Sequence, residues 1–74
     1  MGNKKRTLAA NKITMPDKSY IRNGAVEIEG IYVIKAYSLT GEQPFTEWLG
    51  GEITIKTAEN GKLQAYKDER LLTE

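Results

Sequence analysis

The fold turns on the stretch Asn23-Gly24-Ala25-Val26-Glu27-Ile28-Glu29-Gly30-Ile31-Tyr32-Val33-Ile34. Val26 and Ile28 alternate with Glu27 and Glu29, the period-two pattern of a strand with one buried face. Gly30 interrupts the run. Lacking a Cβ it accepts positive φ, so Glu29-Gly30 reads as a two-residue hairpin loop. Beyond it, residues 31–34 are β-branched or aromatic, a strand composition. Such a loop sets Ile28 opposite Ile31, Val26 opposite Val33 and Ala25 opposite Ile34. Apolar residues then fall on both faces of 31–39, which predicts a central strand.

Working outward, residues 7–15 alternate weakly and end at Pro16-Asp17-Lys18-Ser19. Pro presets φ in a turn and Asp or Ser bonds locally to the backbone, so 7–15 and 20–29 form a first hairpin. Residues 40–51 contain Gly41, Pro44, Gly50 and Gly51 and read as a loop. Within it, residues 46–49 suit one short turn, with Phe45, Trp48 and Leu49 folding back as a lid over the core. Residues 52–57 form a strand with Ile53 and Ile55 inward. Asn60-Gly61 is a strong hairpin signal. A two-residue loop there pairs Glu59 with Lys62, Thr57 with Gln64 and Ile55 with Tyr66. For 62–73 two readings stay open, since Leu63, Tyr66, Arg70 and Leu71 also fall at helical spacing; a strand over 62–67 is favoured. The expected fold is therefore all-β: a small antiparallel sandwich or partly open barrel of five to six short strands. Its core is expected from Val26, Ile28, Ile31, Val33, Ile34, Leu49, Ile53 and Ile55. The expected organisation is a disordered basic arm over 1–6, one β-domain over 7–68, and a flexible tail or short turn over 69–74.

A chain of 74 residues and 8.3 kDa suffices for one small domain. Scaling predicts that about 60% of the unfolded surface becomes buried, a thin core. Without Cys there is no disulfide framework and no thiolate; without His there is no imidazole base and no His-based metal site. The net charge of +1 hides an asymmetry. Residues 1–22 carry six Lys/Arg and one Asp, while 23–74 carry five Lys/Arg and nine Asp/Glu. No apolar h-region follows the basic start, and no apolar run approaches the ~20 residues that cross a bilayer. The expected setting is the cytoplasm.

Little here supports catalysis or a cofactor. Glu27 and Glu29 share a strand face and Asp68-Glu69 are adjacent, but solvated carboxylates are the common outcome of such spacing. Ser19 and Ser38 have no histidine to activate them. The expected role is a structural or protein-interaction module with an unknown protein partner. The alternative is a single-stranded nucleic-acid-binding barrel. In it Lys4, Lys5, Arg6, Lys12, Lys18 and Arg22 supply charge, and Tyr20, Tyr32 and Tyr37 stack bases. A sequence pI near 7.9 makes nucleic acid the weaker expectation. The candidate interaction surface comprises Phe45, Trp48, Lys12, Tyr20 and Tyr37. The candidate docking edges are strand 8–15 and segment 62–67, both guarded by lysines, so a monomer or weak dimer is expected.

Residues 23–34 also resemble the small composite β-domain that flanks the barrel in amidohydrolase-superfamily hydrolases, with its "NG-x-V-x-I" strand, tight turn and "I-x-x-I" strand. Leu8-Ala9-Ala10-Asn11-Lys12-Ile13 is similar to that domain's first strand. Leu49-Gly50-Gly51-Glu52-Ile53-Thr54-Ile55 is similar to the strand before the barrel. Asn60-Gly61-Lys62-Leu63-Gln64-Ala65-Tyr66-Lys67-Asp68 is similar to the strand that closes the domain after it. The family's Pro-Gly and His-x-His metal motif are missing after residue 57, where Ala58-Glu59-Asn60-Gly61 follows. The resemblance thus implies the β-domain alone, without barrel, metal or hydrolase residues.

Overall fold

In a computed structural model, described over residues 5–41 and 46–73, the chain forms β1 (Lys5–Thr14), β2 (Tyr20–Glu29), β3 (Tyr32–Ser38), β4 (Thr46–Trp48), β5 (Glu52–Thr57), β6 (Leu63–Lys67) and β7 (Arg70–Leu71). The all-β class stands, and within 62–73 the chain forms β6 and β7 rather than a helix. Five strands close a barrel in the order β1-β2-β3-β6-β5-β1, with β4 added to β1 and β7 added to β6. The sheet is not wholly antiparallel: β1 pairs in parallel with β4 and with β5. Parallel partners need a long connection between them, so no adjacent turn in the sequence announces this pairing.

The first hairpin forms where the turn chemistry places it. Met15 and Ser19 close a loop in which Lys18 donates its N–H to Met15 C=O (2.9 Å), and Lys18 itself takes positive φ, 74°. Asp17 Oδ1 accepts the Ser19 N–H and hydroxyl at 2.9 and 2.6 Å. The two charge-stabilising bonds, that from the hydroxyl first, hold the Asp17 carboxyl below its ordinary value of 3.8.

The second hairpin forms two residues out of the expected register and the third one residue out. Glu29 pairs with Tyr32, so the loop is Gly30-Ile31, with Gly30 at φ 67°. Ile28 then faces Val33, and a bulge at Ile34 restores the ladder at Glu27 and Lys35. A bulge leaves its extra residue unpaired. Val33 enters the core, whereas Ile31 at the tip and Ile34 on the bulge are 39% and 48% exposed, against expectation. At Asn60-Gly61 the loop has three residues, not two. Ala58 and Lys62 close it, Gly61 donates to Ala58 C=O at 2.9 Å, and Gly61 takes φ 84°. Thr57 consequently faces Leu63, and Ile55 faces Ala65. The expected pairing of Glu59 with Lys62 gives way to a turn. Past Lys67, Asp68 and Glu69 both adopt positive φ in a tight turn that leads to β7, and Leu72 packs against the core.

The core is Leu8, Ala10, Ile13, Val26, Ile28, Val33, Ile53, Ile55 and Ala65, with Leu49 and Leu63 among those packed against it. Leu8 and Ile13 have opposite parity along β1, yet both are fully buried. The strand changes face at Asn11-Lys12, and β2 does the same at Arg22-Asn23, where Asn23 takes φ 48°. The parallel partner compensates at the same level. Residues 7–9 pair with 46–48 and residues 12–14 with 52–54, an offset that grows by one. Gly50-Gly51, at φ 72° and 62°, absorbs the extra residue, and Asn11 Oδ1 accepts the Gly51 N–H at 2.8 Å. This Gly-Gly pair is therefore a kink between two pieces of strand rather than the end of a loop. At the lower mouth of the barrel Arg6 donates to Glu47 (2.5 Å) and to Thr73 C=O (2.8 Å), tying the C-terminal segment to β1 and β4.

Candidate binding surfaces

The expected edges and the observed one change places. β1 is paired on both sides, by β2 and by β4 and β5. β6 is likewise flanked by β5 on one side and by β3 and β7 on the other. Neither candidate docking edge is open. β3, expected to be central, meets β6 at a single pair, Val33 with Leu63. Among the described residues nothing pairs with 34–38 on the side away from β2. Leu39 donates its N–H to Asn23 C=O, which makes Gly24 and Ser38 a non-hydrogen-bonded pair of the ladder. Residues 37 and 35 therefore bond to β2, and Ala36 and Ser38 aim their N–H and C=O groups outward.

At the lower end of this seam lies an open groove of about 720 Å³, lined mainly by the Gly30-Ile31 tip, Tyr32, Ile34, Lys62 and Leu63. Tyr32 latches the two hairpin tips together. Its hydroxyl accepts from Asn60 Nδ2 at 3.0 Å, and Lys62 Nζ lies 4.9 Å from its ring centroid. The groove carries both isoleucines that the register shift turns outward. Sequence reading missed it because the same residues were assigned to the core.

Of the four described residues expected to form one interaction surface, the structure unites two. Lys12 Nζ stands 4.7 Å from the Tyr20 ring centroid, and both line a recess of about 360 Å³ with Asn11, Arg22 and Asn23. Trp48 is not a lid: it lies in β4, 57% exposed, with Nε1 beside Gly50. Leu49, by contrast, does reach the core. Tyr37 lies on β3 with Lys35 Nζ 5.3 Å from its ring. Trp48 and Tyr37 share a cross-strand row through Ala9 and Ala25, three strand spacings or about 14 Å apart. Phe45 falls outside the described residues. Every tyrosine has a lysine over its ring, Lys56 serving Tyr66 at 5.1 Å. One face of each possible stacking platform is thus already occupied.

Among the described residues no three carboxylates gather where a metal ion could be held, and no helix is long and apolar enough to cross a membrane. No family model, no curated protein and no solved structure matches the chain.

Proposed function

We propose that this chain is a non-catalytic protein-binding module that takes an extended segment of a partner along the open edge of β3. The supporting observation is that, among the described residues, the edge over 34–38 is unpaired, with Ala36 and Ser38 directed outward beside an apolar groove. Strand addition of this kind draws affinity from main-chain hydrogen bonds and specificity from side-chain pockets. The groove at Ile31 and Ile34 supplies such a pocket. Lys35 on the same strand is the type of residue that discourages self-pairing, so a foreign segment is the favoured occupant and the chain is a monomer or weak dimer. The stand-alone composite-type β-domain and a cytoplasmic setting belong to the same proposal, which has no hydrolase chemistry in it.

The test is selection of a displayed library of random peptides against the whole chain, followed by amide NMR with a synthetic winner. Shifts are expected at 33–38 and at the groove. Ala36→Pro removes an outward N–H while leaving the bonds to β2 intact, a change that edge strands tolerate. It should abolish binding with an unchanged circular dichroism spectrum. Winners that map elsewhere, an absence of winners, or full binding by Ala36→Pro would each sink the proposal.

A further inference from the structure

The first hairpin sets two cations directly opposite each other. Lys12 and Arg22 are direct cross-strand partners, and both are exposed. Like charges directly opposite in a ladder oppose folding. Among the described residues neither enters an ion pair. The nearby carboxylates take their hydrogen bonds from neutral donors and, among the described residues, contact neither cation. Glu52, in parallel register with Lys12, accepts a hydrogen bond from the Thr14 hydroxyl. Asp17, in the hairpin loop, is held by Ser19, and the same loop adds a further cation in Lys18.

The face change in both strands gives this pair a setting. Asn11 and Lys12 on β1, and Arg22 and Asn23 on β2, all turn outward at one level. They frame the recess whose wall is Tyr20, and among the described residues no carboxylate lines it. Lys12 covers one face of the Tyr20 ring, and Tyr20 is still 50% exposed. Among the described residues the lining offers two cations, two side-chain amides and a ring edge; Glu52, across the ladder from Lys12, stands outside it.

We propose that this recess binds a phosphate group, seated between Lys12 and Arg22, with the ring system that carries it lying against Tyr20. The planar guanidinium fork of Arg22 suits phosphate oxygens, and Lys12 adds a point charge. A phosphate joined to a flat ring is the chemistry of a nucleotide, free or within a single strand. The near-zero net charge of the chain does not weigh against it, because the field that matters is local. The site is separate from the edge of β3 and stands or falls independently of strand addition.

The experiment titrates the full chain with inorganic phosphate, thymidine monophosphate and an oligothymidylate, read by amide NMR. Saturable shifts at 11–12 and 20–23 are expected with all three. Arg22→Gln and Lys12→Gln should each weaken binding roughly tenfold, as loss of one charged hydrogen bond implies. Arg22→Gln should melt no lower than the parent, because it removes a like-charge opposition, whereas Lys12→Gln also gives up the Tyr20 ring contact and should melt close to the parent. Tyr20→Leu should weaken the nucleotide but not inorganic phosphate. If the strand is the source, the oligothymidylate binds tighter than the monophosphate. Its log K then falls with log salt at about −1.4, and at about −0.7 in either Gln variant. Equal or weaker oligothymidylate binding assigns the free nucleotide. No saturable shift with any probe, or full affinity in both Gln variants, overturns the proposal.

Discussion

Among the described glycines Gly24 has the least room for a side chain, and replacing it with alanine gives a sharp test of the fold. A Cβ at this position would lie 2.9 Å from Ile13 Cδ1, 2.9 Å from Ile21 Cγ2 and 3.2 Å from the Tyr37 carbonyl oxygen. Ile13 is fully buried, so its terminal methyl has little room to retreat. Ile21 is β-branched and stiff at χ1, and the Tyr37 oxygen belongs to the ladder of β2 with β3. Overpacking of this kind costs about 1–3 kcal/mol. The lost chain entropy of glycine returns about 0.4–1 kcal/mol. The net expectation for Gly24→Ala is a loss of about 1–2 kcal/mol. A domain of this size has about 4–11 kcal/mol in total. The melting temperature should fall by about 5–15 °C, given about 4–8 °C per kcal/mol at this length. Urea denaturation with Ile13→Val as partner closes the cycle. Ile13→Val alone costs about 0.5–1.5 kcal/mol, but it removes the very methyl that the new Cβ strikes. The double variant should therefore lose less than the sum of the two. A Gly24→Ala protein as stable as the parent, or a strictly additive cycle, would refute the crowding at this crossing.

Val33 and Ile34 are adjacent, yet they should respond differently to truncation. Val33→Ala opens the core and should cost about 1–3 kcal/mol, whereas Ile34→Ala on the exposed bulge should stay within about 0.5 kcal/mol, both by urea midpoint. Lys18 holds φ 74° without being glycine; Lys18→Gly should raise stability by about 0.5–1 kcal/mol, and a loss would contradict the loop conformation. The Asp17 carboxyl, followed by NMR, should titrate below the ordinary aspartate range, and Ser19→Ala should return it towards 3.8. Because the folded value is depressed, the associated stability is present above 3.8 and fades as pH falls through the folded value.

Turn chemistry is local, and it was legible. Pro16-Asp17-Lys18-Ser19, Gly30 and Asn60-Gly61 all mark real turns, because each conformation depends on residues within four positions. The β-branched composition likewise set the all-β class. Register was not legible at the same places. Glu29-Gly30 against Gly30-Ile31, and two against three residues at Asn60-Gly61, differ by one position. The choice is made by which side chains pack across the barrel. Ile31 and Ile34 illustrate the consequence, since an apolar pattern cannot show that a bulge will turn a residue out.

By itself the sequence determined the strand class, the positions of three turns, the alternation that buries Val26, Ile28, Ile53 and Ile55, and the absence of imidazole and thiol chemistry. Tertiary structure alone decided three things. It placed β1 in parallel beside β5, a pairing between segments about forty residues apart that no turn signals. It reversed the parity of β1 at Asn11-Lys12 and of β2 at Arg22-Asn23, which buries both Leu8 and Ile13 and gathers Lys12, Arg22 and Tyr20 around one recess. And among the described residues it left β3 rather than β1 or β6 with an open edge, because a strand is an edge only by virtue of what fails to lie beside it, a property held by the whole sheet and by no single segment of the chain.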